Sequence, residues 1–240
     1  MTIVGQLKIQ LYADGADLQG MLEMASKPFI AGLTTNPTLM RKAGISDYVS
    51  FAKQVLNEVK EKPISFEVFS DDLEEMKLQG LEIASWGSNV YVKIPVTNTK
   101  GLSTAPVIAH LASMGVKVNV TALMTVNQVK QVLEALNPEV ASCVSVFAGR
   151  IADTGVDPTP LMKECLQEMS IMPNAKLIWA SPRELLNVFQ AESIGCHIIT
   201  ATNDILKKLS LVGYSLEEYS LDTVKMFHED AKSAGYEIPL

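Results

Sequence analysis

A chain of 240 residues, 48% hydrophobic and 20% charged, has the material for a sizeable core, which argues against intrinsic disorder. The net charge is −7, and 17 lysines with only three arginines (Arg41, Arg150, Arg183) never cluster among aromatics, a pattern that argues against a nucleic-acid partner. No apolar run reaches the ~18 residues of a membrane helix, no secretory leader pattern opens the chain, and Cys143, Cys165 and Cys196 are isolated, so neither a membrane, a disulfide framework nor a zinc site is expected and a reduced, cytoplasmic protein is.

Short apolar runs rich in β-branched residues recur along the chain. They are Lys8–Asp14, Phe29–Thr35, Pro63–Phe69, Asn89–Pro95, Lys117–Leu123, Cys143–Gly149, Ala175–Ser181 and Cys196–Thr202, with starts 21 to 34 residues apart. Between them lie stretches of helical periodicity. Asp71–Trp86 places Leu73, Met76, Leu81 and Ile83 on one broad face, and Thr125–Leu136 does the same with Val126, Val129, Val132 and Leu136. Ser70–Asp71, Thr125 and Ser181–Pro182 are the expected helix starts, the last opening Arg183–Ala191.

Strands alternating with helices imply parallel pairing, because a crossover helix returns the chain to the same edge. Eight such units in this length predict an α/β fold, a single-domain (β/α)8 TIM barrel over residues 1–240. A doubly wound sheet would carry a glycine-rich phosphate loop, and neither GxGxxG nor GxxxxGK[ST] is present. Residues 215–234 follow the eighth unit; Leu216, Tyr219, Leu221, Val224, Phe227 and Ala231 predict an extra amphipathic helix, packed on the barrel or on a neighbouring subunit.

Barrel chemistry sits at the carboxyl ends of the strands, and polar residues concentrate there. The first strand ends at Asp14 and the second in Thr34-Thr35-Asn36-Pro37. The third carries Glu67, the fourth Lys93, the fifth Asn119 and Thr121, the sixth Ser145 with Arg150 beyond it, the seventh ends at Ser181 before Arg183, and the eighth ends at Thr200–Asn203.

Lys93, inside Val-Tyr-Val-Lys-Ile-Pro, is the sharpest feature. A buried ammonium is desolvated or paired, and a desolvated lysine suits Schiff-base chemistry; equally, the residue at a strand end can snorkel to water. Glu67 needs a partner or a task, and an ion pair with Lys93 across neighbouring strands is its plain structural reading, one that would keep the lysine charged and so competes with the Schiff-base reading. Asp17 reads as a helix cap more readily than Asp14. Arg150 and Arg183 fall just past strand ends, where an anion fits; Arg183 in the first turn of a helix would oppose the helix dipole. The plain alternative is a surface pair such as Arg150 with Asp153. His110 and His228 read as solvent-facing and His197 as a hydrogen-bonded core residue. No HxH or HExxH spacing implies a metal, and no GxSxG elbow implies a serine hydrolase.

The motifs Leu11-Tyr12-Ala13-Asp14, Gly32-Leu33-Thr34-Thr35-Asn36-Pro37, Val92-Lys93-Ile94-Pro95, Asn119-Val120-Thr121 and Phe147-Ala148-Gly149-Arg150-Ile151, in this order and spacing, resemble the transaldolase family, which includes the fructose 6-phosphate aldolases. The resemblance runs from about Lys8 to Leu209. It implies a class I enzyme without metal or other cofactor that moves a dihydroxyacetone unit between sugar phosphates. In it, Lys93 matches the Schiff-base lysine, Asp14 the acid/base on the C4 hydroxyl, and Glu67 with Thr121 the holders of a catalytic water. Thr35, Asn36, Asn119, Ser145 and Phe147 match the substrate lining. Arg150, Ser181 and Arg183 match the phosphate pocket.

The aldolases of the family resemble this chain less at two places: they carry Gln at the position of Glu67 and Tyr at that of Phe147. The resemblance therefore implies a transaldolase, although the length is that of the short, aldolase-like members; the alternatives are aldolase-type cleavage releasing free dihydroxyacetone and a non-catalytic barrel that binds a sugar phosphate. It further implies a homo-oligomer, either a decamer built from pentamers or a dimer.

Overall fold

A computed structural model describes residues 3–240. The barrel strands are β1 (Gln10–Asp14), β2 (Ile30–Thr34), β3 (Ile64–Glu67), β4 (Val90–Pro95), β5 (Val118–Leu123), β6 (Ser142–Val146), β7 (Ala175–Trp179) and β8 (Ile198–Thr202). Each pairs in parallel with the next, and β8 closes on β1. All eight expected runs are strands, trimmed by one to three residues at most of their ends. The trimming has local causes: β2 stops at Thr34 because Asn36 caps the next helix, its side chain accepting from the Leu39 N–H.

Helices cover the outer face, and their starts follow cap chemistry. Asp17 caps Leu18–Ser26, and Asp47 caps Tyr48–Glu58. Thr125 and Gln128 form a reciprocal capping box on Val126–Ala135. Two expected starts move. The cap of Leu73–Ser85 is Asp72, not Ser70–Asp71; Asp71 instead accepts from the backbone N–H and hydroxyl of Thr99 in the loop after β4. The helix after β7 begins at Leu186, not Arg183, and Leu185 caps it without a side-chain bond.

Side chains two residues apart on a strand share a face, and this sets the character of the barrel interior. Towards the amino ends it is an apolar cluster of Tyr12, Cys143, Ile178 and Ile198. Two residues further along β1, β6 and β8 the same face carries Asp14, Ser145 and Thr200. Gly32 of β2 leaves room for the Tyr12 ring, which a Cβ there would meet at 2.4 Å. The three cysteines are buried thiols, whose pKa values burial pushes up to about 12.

The chain divides after Lys207 into two compact units. The second holds a 3-10 turn, Lys208–Leu211, and the helix Leu216–Ser233, capped by Ser215. Its Tyr214 hydroxyl donates to Asp222 at 2.7 Å, and Leu216, Leu221, Val224 and Phe227 are exposed. Among the described residues, no helix is long and apolar enough to cross a membrane.

Candidate active site

At the carboxyl ends of the strands the barrel opens into a cavity of about 350 Å³. Ten of the residues singled out from sequence line it: Asp14, Asn36, Glu67, Lys93, Asn119, Thr121, Ser145, Phe147, Arg150 and Ser181.

Lys93 does not snorkel. It is 6% exposed, and its Nζ donates to the Thr35 carbonyl at 2.8 Å and lies 3.3 Å from Glu67 Oε2. The β3–β4 register sets Glu67 directly beside Lys93, so the ion pair expected from sequence exists, inside the cavity. This explains Thr35: its hydroxyl is fully buried and donates to the Ser65 carbonyl at 2.9 Å. The side chain is thus turned into the sheet and does not line the cavity, while its carbonyl holds the lysine.

Asp14 closes the other side of this group. Thr34 Oγ1 donates to Asp14 Oδ1 at 2.8 Å and Asn36 Nδ2 to Oδ2 at 3.1 Å. Thr34 has one hydroxyl proton, so Thr200, 2.5 Å away, is the donor between the two hydroxyls. Burial raises the Asp14 pKa above the ordinary carboxylate value, against the lowering influence of Lys93 and both hydrogen bonds. A carboxylate held at both oxygens with strengthened proton affinity is built to receive a proton.

On the floor, Ser145 Oγ donates to Asn119 Oδ1 at 2.7 Å and Asn119 Nδ2 to Ser65 Oγ at 2.9 Å, which fixes the amide orientation. Thr121 Oγ1 is buried, with no hydrogen-bond partner among the described residues. A bulge re-aims this stretch: Val120 faces Val144, yet Leu123 faces Val146, so β5 carries one extra residue. Ala122 absorbs it at φ +64°. Ser181, at φ +59°, is the other non-glycine residue among those described in left-handed backbone, and both line the cavity. Strain of this kind clusters at functional sites.

The arginine side departs from expectation. Arg183 lies in the loop before the helix, its backbone N–H donating to Asn187 Oδ1, so the helix-dipole argument for it falls. Its guanidinium forks onto both carboxylate oxygens of Asp153, and it does not line the cavity. Asp153 therefore pairs with Arg183, not Arg150. Arg150 lies over the Phe147 ring at 5.8 Å and does reach the cavity. Gly149 joins the two sides: a Cβ there would stand 1.6 Å from the Ser181 carbonyl oxygen and 3.4 Å from Arg183 Nε.

Of the histidines, His110 and His228 are exposed as expected. His197 is not a core residue: it precedes β8 at the surface, where Nδ1 accepts from the Leu177 N–H at 3.0 Å.

A family model described as Transaldolase/Fructose-6-phosphate aldolase matches residues 11–238. The chain belongs to this family. A "Probable transaldolase" of Thermoanaerobacter sp. (strain X514) is 31% identical over 96% of this chain and 100% of its own length. One from Dehalococcoides mccartyi is 35% identical over 84% and 90%, and one from Methanococcus vannielii 31% identical over 89% and 97%. Among solved structures, a dihydrodipicolinate synthase family protein from Coccidioides immitis shares the barrel alone, with a TM-score of 0.63 at 11% identity over 97% of this chain and 80% of that one.

In this transaldolase-family chain Thr34 and Thr200, which the strand-end pattern marks without a role, also line the cavity, and Ala122 is a lining residue that the pattern does not mark. Thr34 and Thr200 stand at strand ends, and that position is the signal that finds them. Ala122 carries no signal, since its place depends on the bulge.

Proposed function

We propose that the protein is a transaldolase, transferring a dihydroxyacetone unit from a ketose phosphate to an aldose acceptor through a Schiff base on Lys93. The observation that carries this reading is Lys93 buried at the end of β4, its Nζ held between the Thr35 carbonyl and Glu67, in one cavity with Asp14.

Glu67, 3.3 Å from Nζ, takes a proton from the Lys93 ammonium; the freed amine adds to the C2 carbonyl of the ketose, and loss of water leaves an iminium, an electron sink. Asp14 takes the C4 hydroxyl proton, the C3–C4 bond breaks, and an aldehyde departs while a three-carbon enamine stays on Lys93. An acceptor aldehyde then takes the enamine in reverse. Glu67 and Thr121, the one paired with Lys93 and the other a hydroxyl without a partner among the described residues, handle the proton and water of iminium formation. Asn36, Asn119 and Ser145 meet the dihydroxyacetone hydroxyls. Arg150, Ser181 and Arg183 take the anionic end; Arg183 joins on leaving Asp153. Holding the distal end so that C4 meets Asp14 supplies at best ~7–11 kcal/mol of the barrier reduction.

Glu67 and Phe147 favour transfer over release, these being the positions at which the resemblance separates transaldolases from aldolases. A homo-oligomer and a cytoplasmic location belong to the same reading. The test is release of glyceraldehyde 3-phosphate from fructose 6-phosphate with and without erythrose 4-phosphate. Release that requires the acceptor is expected. Equal release without it would make the protein an aldolase and remove Glu67 and Phe147 as the deciding residues.

A further inference from the structure

The backbone of Glu67 lies at an unusual place in the sheet. Carbonyls of Pro63 and Ser65 point to the β2 side, where they accept from the Leu33 and Thr35 N–H groups. Ile64 and Val68 point the other way, donating to Asn89 and to Lys93. By this alternation the N–H and carbonyl of Glu67 face β2. But β2 has already left: its pairing with β3 ends at Thr34↔Ser65, and Asn36 is capping a helix. The residue beside the lysine is thus the one whose backbone has lost its neighbouring strand.

A single phenol fills the gap. The Glu67 N–H donates to Tyr48 Oη at 2.7 Å, and that hydroxyl donates to the Glu67 carbonyl at 3.0 Å. Tyr48 opens the helix Tyr48–Glu58, fixed by its Asp47 cap. Its ring is wedged edge-on against Phe66, Phe69 and Trp86, with centroids 6.2, 4.5 and 5.8 Å away. Both ends of the side chain are therefore constrained: the ring by three aromatic neighbours, the hydroxyl by two backbone groups.

We propose that Tyr48 is a positioning residue, its hydroxyl standing in for the absent strand and holding Glu67 against Lys93. It touches no reacting atom and acts through Glu67. The role rests on the reading of Lys93 as the reacting amine. Burial raises the phenol's pKa, so the hydroxyl remains a donor across the working pH range.

Tyr48→Phe removes one oxygen, keeps the ring packing, and orphans both backbone groups of Glu67. In this variant kcat, and the rate of borohydride trapping on Lys93, should fall about tenfold or more, with KM within about twofold because no substrate contact is lost. Trp86→Phe perturbs the same aromatic cluster but leaves the hydroxyl grip; it should lower Tm while keeping kcat. Hydrogen exchange at the Glu67 amide gives a readout independent of turnover, expected to be slow in the wild type and fast in Tyr48→Phe. Unchanged kcat in Tyr48→Phe, an equal kcat loss in Trp86→Phe, or unchanged Glu67 exchange would each overturn the proposal. If the wild type itself traps no adduct, the Schiff-base reading fails, and the exchange comparison still decides whether Tyr48 holds Glu67.

Discussion

The two sides of the cavity are built differently. On the β1–β5 side, Asp14, Glu67, Lys93 and Asn119 sit on strands, and each is bonded to a partner fixed by the sheet register. On the β6–β7 side, Arg150 and Arg183 sit on a short helix and a loop, and Arg183 is about half exposed and bound to an equally exposed Asp153. Covalent chemistry needs reacting atoms held to within a fraction of an ångström, which register supplies. Recognition of a mobile anionic tail tolerates an exposed clamp that exchanges partners. Under the proposed function, the first side is preorganised for bond making and the second for capture of the anionic end.

The largest expected effect breaks the first side outright. Lys93→Met abolishes turnover and borohydride trapping while circular dichroism still reports a folded barrel; residual full activity would sink the contrast. Next, Asp14→Asn lowers kcat by about 10²–10⁴-fold, measured at saturating ketose. The raised Asp14 pKa predicts a pH signature as well. A carboxyl with raised pKa keeps its proton to higher pH, so the basic form is lost as pH falls through that raised value. The acid limb of the kcat/KM profile, which reports the free enzyme, should therefore lie above the ordinary carboxylate value of 3.8.

Smaller effects separate the second side. Gly149→Ala forces a Cβ onto the Ser181 carbonyl, so Ser181 must move; overpacking of this sort costs about 1–3 kcal/mol, and thermal unfolding should show it. Arg150→Ala should raise KM for fructose 6-phosphate about tenfold or more, as expected for a lost charge-assisted bond, with little change for free dihydroxyacetone. Arg183→Ala should act in the same direction and less strongly, because Asp153 already engages it. Equal effects on phosphorylated and free substrates would remove both arginines from the anion pocket.

The same contrast explains what could be read from sequence. Lys93 and Glu67 were legible because a charge in an apolar strand has few ways to be satisfied, and parallel register brings adjacent strand ends together. The barrel followed from eight repeats of one pattern. Arg183 was misplaced because Ser181–Pro182 mimics a helix start, while the left-handed turn at Ser181 delays the helix to Leu186. Thr35 carried the right motif, yet its side chain serves the sheet and its carbonyl serves the site. Tyr48 left no trace in the pattern: its role exists only because β2 leaves the sheet before β3 does.

Whether Lys93 forms the covalent bond to substrate is read by borohydride reduction in the presence of fructose 6-phosphate, followed by peptide mass analysis. One reduced three-carbon adduct is expected, on Lys93 alone, with parallel loss of activity. An adduct on another lysine, or full activity after reduction with no adduct, would contradict it.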